Sequence, residues 1–253
     1  MPRVIKHPDV RRAEILDIAM AAFLRSGYDN VSLNDLIADA GVSKGAFYHW
    51  FPSKDALISA LAERSARQGL AAVERALSQC NGDALDRLNA VLQAGFDVKM
   101  RAGTPELLAG AVSLLRPANA HLYAQIVAAE EAVFGPLLTR LVSEGVAAGI
   151  YDTFDPEGVA DMIYALAART NTSILEVLDA ADESARDRAI DGLATRFRLH
   201  ALTLDRILGL PDGSIVAPAH AQVGKMVSSL PRNYATRSCA ATGCSPMTDL
   251  TTT

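Results

Sequence analysis

Lys44, Tyr48 and His49 are the residues of this chain whose types and spacing could do chemistry. They stand in a short helix-forming run, KGAFYHWF, where Phe47 and Phe51 lie four residues apart and anchor the run in a core. Lys44, Tyr48 and His49 are then left facing away from that core. A helix of about seven residues is too short to be stable alone, so its polar face is its purpose. The run closes the stretch SLNDLIADAGVSKGAFYHWF at residues 32–51, which reads as helix, glycine turn and helix. So short a turn is that of a helix-turn-helix, whose second helix lies in the major groove of DNA.

The elements that must position this face are readable on both sides of it. Ile15, Ile18, Ala19, Ala22 and Phe23 recur at the three- and four-residue steps of one helix face, and Gly27 ends that helix. Ser32 and Asp35 fit a capping box at the start of a helix through Leu36, Ile37 and Ala40, which Gly41 stops. Ser43 caps the short helix and Pro52 breaks it. Ser53 then opens a long fourth helix to about Ser78, with Asp55 in its first turn, and Gly82 closes it. Further helices are expected over about 83–101, 105–116, 118–148, 156–179 and 183–209, with Pro136 kinking the one that contains it. Strand signals are almost absent, so the fold class is all-α. After Leu210 the many small polar residues and missing apolar period predict a largely disordered tail over 210–253.

Composition excludes several classes. Half of the 253 residues are hydrophobic and 21% are charged, which suits one or two folded domains and not a wholly disordered chain. Three cysteines are too few for a disulfide scaffold, and the spacing of Cys239 and Cys244 is wrong for the usual zinc pairs. The five histidines are scattered, and a nucleophile elbow, an acidic metal motif and a glycine-rich phosphate loop are all missing, so neither enzyme, cofactor nor metal is expected. No window reaches about 18 consecutive apolar residues, and the first residues carry charges where a signal peptide needs an apolar run, so the expected location is cytoplasmic, with no membrane partner. The net charge of −5 argues against blanket nucleic-acid binding, yet Arg3, Lys6, Arg11 and Arg12 crowd the first dozen residues. A basic end on an acidic body is compatible with a head that contacts DNA.

Residues about 12–58 resemble the DNA-binding domain of the TetR family of bacterial transcriptional repressors. The resemblance is carried by Ile15-Leu16…Ala19…Phe23…Gly27-Tyr28, by Ser32…Asp35-Leu36…Ala40-Gly41-Val42-Ser43-Lys44-Gly45, and by Phe47 through Leu57. It covers about the first fifth of the chain by motif; beyond that it rests on length and helical content. It implies a helix-turn-helix head over residues 1–58, a helical ligand-binding and dimerisation body over 59–209, and a ligand-responsive repressor. Ile37, where many members carry alanine, and Trp50, where histidine or tyrosine is frequent, depart from the pattern; Trp50 is expected to pack against the fourth helix, with a contact to the sugar-phosphate backbone as the alternative.

Carried over by position, Tyr48 is similar to the family's phosphate-contacting tyrosine, and Lys54 looks like its phosphate-clamping lysine. Ser32 and Asn34 open the second helix where the family contacts backbone and sometimes a base. Lys44, Gly45 and His49 occupy base-reading positions: lysine suits the O6 and N7 acceptors of guanine, and glycine lets a helix approach closely. Lys44 and His49 could equally be phosphate contacts, and Ser32 only a cap. The resemblance also implies a homodimer through the last two long helices, on stripes formed by Val159, Met162, Ile163, Leu166, Ile174 and Leu178 and by Ile190, Leu193, Phe197, Ala201, Leu204 and Leu208, with burial inside one subunit as the alternative. The dimer would hold two heads on a palindromic double-stranded DNA operator, released by a small-molecule inducer. Arg116, His121, Tyr123, Tyr164, Arg169 and Asn171 are polar groups among apolar helical residues and are the candidates to orient that ligand. With aromatics at 6% of the chain, the pocket would be mainly aliphatic, which points to a hydrophobic compound. A helical ligand-binding or adaptor protein without DNA binding, and an all-α enzyme, are the competing classes; the intact Lys44, Tyr48 and Lys54 set speaks against the first.

Overall fold

A computed structural model describes residues 7–100 and 119–228, and among them every regular element is a helix. The first four build the head: α1 (Pro8–Ser26), α2 (Leu33–Ala40), α3 (Lys44–Trp50) and α4 (Lys54–Gln79). The body holds α5 (Ala84–Met100), α6 (Ala120–Ala147), α7 (Pro156–Leu178), α8 (Glu183–Ile207) and α9 (His220–Ser228). The helix expected over 105–116 lies outside the described residues. Helix α6 continues across Pro136, where a kink was expected.

Local chemistry sets the head's boundaries. Gly27 ends α1 at φ 79° and ψ 154°, a conformation essentially reserved to glycine. Ser32 and Asp35 form the full capping box of α2, and Ser43 and Ser53 each accept the N–H three residues on, at 3.2 and 3.0 Å. The apolar faces these caps fix then meet in one core. Ile15, Leu16, Ala19 and Phe23 of α1 pack with Leu36 of α2, Phe47 and Phe51, and Leu57, Ile58 and Leu61 of α4. Leu122, near the start of α6, is wholly buried in that same core, and Ile126 packs against it. At 26 residues, α4 is about 39 Å long. It therefore serves both cores, since its Val73 belongs to the body.

In the body core, Leu88 and Val91 of α5, Leu141 and Val142 of α6, Val159 and Ile163 of α7, Leu204 of α8 and Leu208 just past its end come together. The ring of Tyr151 lies against Gly145, where a Cβ would stand 2.1 Å from ring carbons, and its hydroxyl donates to the Ala84 carbonyl at 2.8 Å.

Two expectations need correction. The stripes assigned to a two-subunit bundle are mostly covered within one chain: Val159, Ile163, Leu178, Leu193, Ala201, Leu204 and Leu208 are buried, while Met162 is 49% exposed. Residues 210–228 are not a disordered tail. Wholly buried Asp205 accepts the N–H of Gly213 at 2.7 Å and of Ile215 at 2.8 Å. Asn89 accepts from the Val216 N–H and donates to the Ser214 carbonyl. Val223, Met226 and Val227 of α9 are then buried against Val177 of α7 and Leu193 and Ala194 of α8. Residues 229–253 lie outside the described residues.

Candidate nucleic-acid interface

The capped turn and the two buried phenylalanines present α3 edge-on, with Phe47 0% and Phe51 1% exposed behind it. Lys44, Gly45, Tyr48 and His49 are all exposed on the other side. A Cβ on Gly45 would find nothing within 4 Å, so the helix backbone is open to close approach there. Tyr48 is fixed edge-on against Phe47, with ring centroids 6.0 Å apart, and the Lys44 ammonium lies 5.9 Å from the Tyr48 ring centre. Trp50 packs against the head core, as the sequence suggested, and Arg12 stacks over the Phe51 ring at 5.4 Å.

Ser32 and Asn34 are exposed at the start of α2, beside this face in sequence. The Ser32 hydroxyl already serves the capping box, donating to Asp35 at 2.6 Å and accepting the Asp35 N–H at 3.2 Å. The hydroxyl's bond, and then the Ser32 N–H donating to the same carboxylate at 3.1 Å, hold the Asp35 carboxyl below its ordinary pKa.

Lys54 is placed differently from the other candidates. It is half-buried, donates to the Tyr28 carbonyl, and sits 3.9 Å from the centre of the Tyr28 ring. Burial lowers its pKa, while Asp29 and Asp55 oppose that shift. The Tyr28 hydroxyl in turn donates to Asp55 at 3.0 Å, and burial with this bond pushes the phenol up to about 12. Lys54, Tyr28 and Asp55 thus join the loop after α1 to the start of α4. Farther along, Arg64 of α4 pairs with Asp17 and donates to the Ala13 carbonyl at 3.2 Å, which ties α1 to α4 a second time.

The six ligand candidates are not gathered into one described site. Arg116 lies outside the described residues, as does the side chain of Asn171, while His121 and Arg169 are exposed. Tyr123 and Tyr164 share a neighbour: burial and then Glu130 raise both phenols, Tyr123 to about 12, and the Tyr164 hydroxyl donates to the Glu130 carbonyl at 3.4 Å. Clefts of about 390 Å³ between α1 and α4 and about 270 Å³ beside the start of α9 are lined by none of the six. Sequence reading passed over the contact between Thr170 and His200, 3.5 Å apart across α7 and α8. Burial and then Arg196 hold the His200 ring below its usual pKa of 6.5. A histidine four residues from Arg196 on a helix was the available signal. Among the described residues no cluster of three metal-ligating side chains occurs, and no helix is long and apolar enough to cross a membrane.

Residues 15–61 match the family described as bacterial regulatory proteins, tetR family. The chain is 40% identical over 76 residues to the HTH-type transcriptional repressor Rv1474c of Mycobacterium tuberculosis, covering 30% of this chain and 41% of that protein. It is 31% identical over 103 residues to the HTH-type transcriptional regulator BetI of Paraburkholderia phymatum, covering 41% and 52%. In these matches the chain spans about half the length of the curated relatives or less. The crystal structure of a TetR-family transcriptional regulator from Pectobacterium atrosepticum shares the fold, with a TM-score of 0.55 at 21% identity over 80% of this chain and 97% of that one.

Proposed function

We propose that this chain, whose residues 15–61 match the TetR family of bacterial regulatory proteins, is a ligand-responsive, sequence-specific DNA-binding transcriptional regulator, a cytoplasmic repressor that leaves a palindromic operator when a small hydrophobic ligand binds its body. The observation that carries this reading is the face of α3. Lys44, Gly45, Tyr48 and His49 are exposed together on a helix whose other side buries Phe47 completely. Lys44 and His49 address base edges through Gly45's open backbone, and Tyr48, braced on Phe47, donates to a phosphate oxygen. Ser32 and Asn34 bring the start of α2 to the same backbone. Lys54 reaches a phosphate by trading the Tyr28 carbonyl for a phosphate oxygen.

Residues 1–58 act as the head and 59–209 as the body. A two-fold dimer uses the outer faces of α7 and α8, where Met162, Ala165, Arg169 and Thr172 and then Gly192, Thr195, Arg196 and Leu199 are exposed at three- and four-residue steps. Tyr123 and Tyr164 are the candidates that support a ligand site between α6 and α7. Because Leu122 and Gln125 of α6 meet the head, ligand-driven movement of α6 shifts the heads, at a coupling free energy of about 1–3 kcal/mol.

The test is selection of random duplex DNA by the full chain, with Tyr48→Ala alongside. Enrichment of one palindrome, lost in the variant and weakened steeply by salt, is the expected result. A wild-type chain that enriches nothing after removal of any co-purified small molecule refutes the reading.

A further inference from the structure

Arg11 belongs to the basic cluster that first suggested DNA contact, yet its guanidinium turns inward. From α1, Nη2 donates to the carbonyls of Ala40 at 3.1 Å and Gly41 at 3.2 Å, across some of the longest sequence separations in the head. Nη1 donates to Glu14 at 2.8 Å, and both side chains are about 30% exposed. The two carbonyls sit at the C-terminus of α2, where helix carbonyls lack intrahelical partners and carry the negative end of the dipole.

The turn's own bonds serve other atoms. The Gly41 N–H goes to Ala38 and the Val42 N–H to Ile37, with Gly41 left-handed at φ 58°. Arg11 completes the cap from outside the turn. Between it and the reading face stand only Gly41, Val42 and Ser43, and Ser43 is the cap of α3. A guanidinium suits the task because its planar fork sets two neighbouring acceptors and a carboxylate in fixed directions, which a lysine cannot do.

We propose that Arg11 is a positioning residue for DNA recognition, a brace that fixes the turn between α2 and α3, and so the angle at which α3 meets the groove, without touching DNA itself. The inference rests on the DNA-binding reading above and adds a residue outside its contact set. A phosphate contact and a brace differ in their salt signature. Removing a lysine or arginine that neutralises a phosphate lowers the slope of log affinity against log salt by about one and weakens all sequences alike. Removing a brace leaves the slope and weakens the correct sequence most.

The experiment measures the affinity of the full chain for its selected operator and for singly substituted operators across a salt series. Arg11→Ala, Arg11→Lys and Glu14→Gln are compared with Lys44→Ala, and thermal unfolding of each is followed. For Arg11→Ala the expected result is about a tenfold loss on the operator, a several-fold narrower discrimination, an unchanged salt slope, and partial recovery in Arg11→Lys. Should Arg11→Ala fail to fold, Arg11→Lys and Glu14→Gln carry the same test with losses of about threefold. A slope lowered by about one makes Arg11 a phosphate contact and overturns the brace. So does a lowered melting temperature with wild-type affinity and discrimination, which makes Arg11 merely structural. A wild-type chain that binds while every Arg11 variant matches it refutes the brace alone; a wild-type chain that selects no sequence refutes the DNA reading and the brace with it.

Discussion

Leu122→Ala removes a wholly buried side chain through which α6 of the body enters the core of the head. Three carbons are lost, worth about 2.4 kcal/mol in transfer at about 0.8 kcal/mol each. Some cavity cost is added because the core that Leu122 shares is built on α1, α2, α3 and α4 and cannot close in freely. The expected destabilisation is about 3 kcal/mol, inside the usual range for leucine truncation. That is a large share of a total stability of about 5–15 kcal/mol.

Gln125, one turn farther along α6, accepts the Ser59 hydroxyl of α4 at 2.9 Å. Gln125→Ala should therefore cost about 1 kcal/mol. The two effects are expected to be non-additive, because both act on one contact between α6 and α4. Urea unfolding measures the sum, and amide hydrogen exchange locates it. Protection should fall in α1, α3 and the start of α4 while α8 and α9 keep theirs. A Leu122→Ala shift below about 0.5 kcal/mol, or protection lost first around α9, would refute the view that Leu122 couples head to body.

Lys54→Met keeps the stem but removes the cation over Tyr28 and its bond to the Tyr28 carbonyl, so urea unfolding should show a loss of about 1 kcal/mol. The salt slope of operator binding should also fall by about one; an unchanged slope would remove Lys54 from the interface. His200 has its pKa lowered in the fold, so the unfolded chain binds the proton more readily. Stability should be fully present above about pH 6.5 and decline as the pH falls below it, and His200→Gln should flatten that decline in urea titrations at several pH values. Asp205→Ala strands the buried N–H of Ile215 and frees the N–H of Gly213, at a cost of about 2 kcal/mol. Trypsin should then cut at Lys225 sooner than in the wild-type chain, and equal rates would show that α9 stays docked without the carboxylate.

What the sequence made legible was decided over short separations. The serine caps at 32, 43 and 53, the glycine stops at 27 and 41, and the four-residue spacing of Phe47 and Phe51 each depend on neighbours within a turn, and each stands in the structure as read. Amphipathic stripes carried less. The pattern of Val159, Ile163, Leu204 and Leu208 demanded a cover without saying whether it came from this chain or a second one, and this chain's own α5 and α6 supply it. Helix α9 did have a signal, since Val223, Met226 and Val227 keep a three- and four-residue spacing, but Pro211, Gly213 and Pro218 before it masked an apolar period only one turn long. The polar ligand candidates carried a signal of the same limited kind, because an isolated polar residue on a helix does not reveal whether others converge with it.

The hardest distinction was among the basic residues of the head. Lys44 and Arg11 are both cations beside apolar runs, yet Lys44 faces solvent and Arg11 faces the carbonyls of Ala40 and Gly41. Nothing within a helical turn of Arg11 names those carbonyls, which lie on another helix and come within reach only when Ile15, Leu16 and Ala19 bring α1 against Leu36 of α2. A cation's destination is therefore set by the packing of its apolar neighbours. For that reason two cations of one head take different places: Arg11 holds the turn before α3, and Lys44 stands exposed on α3 itself.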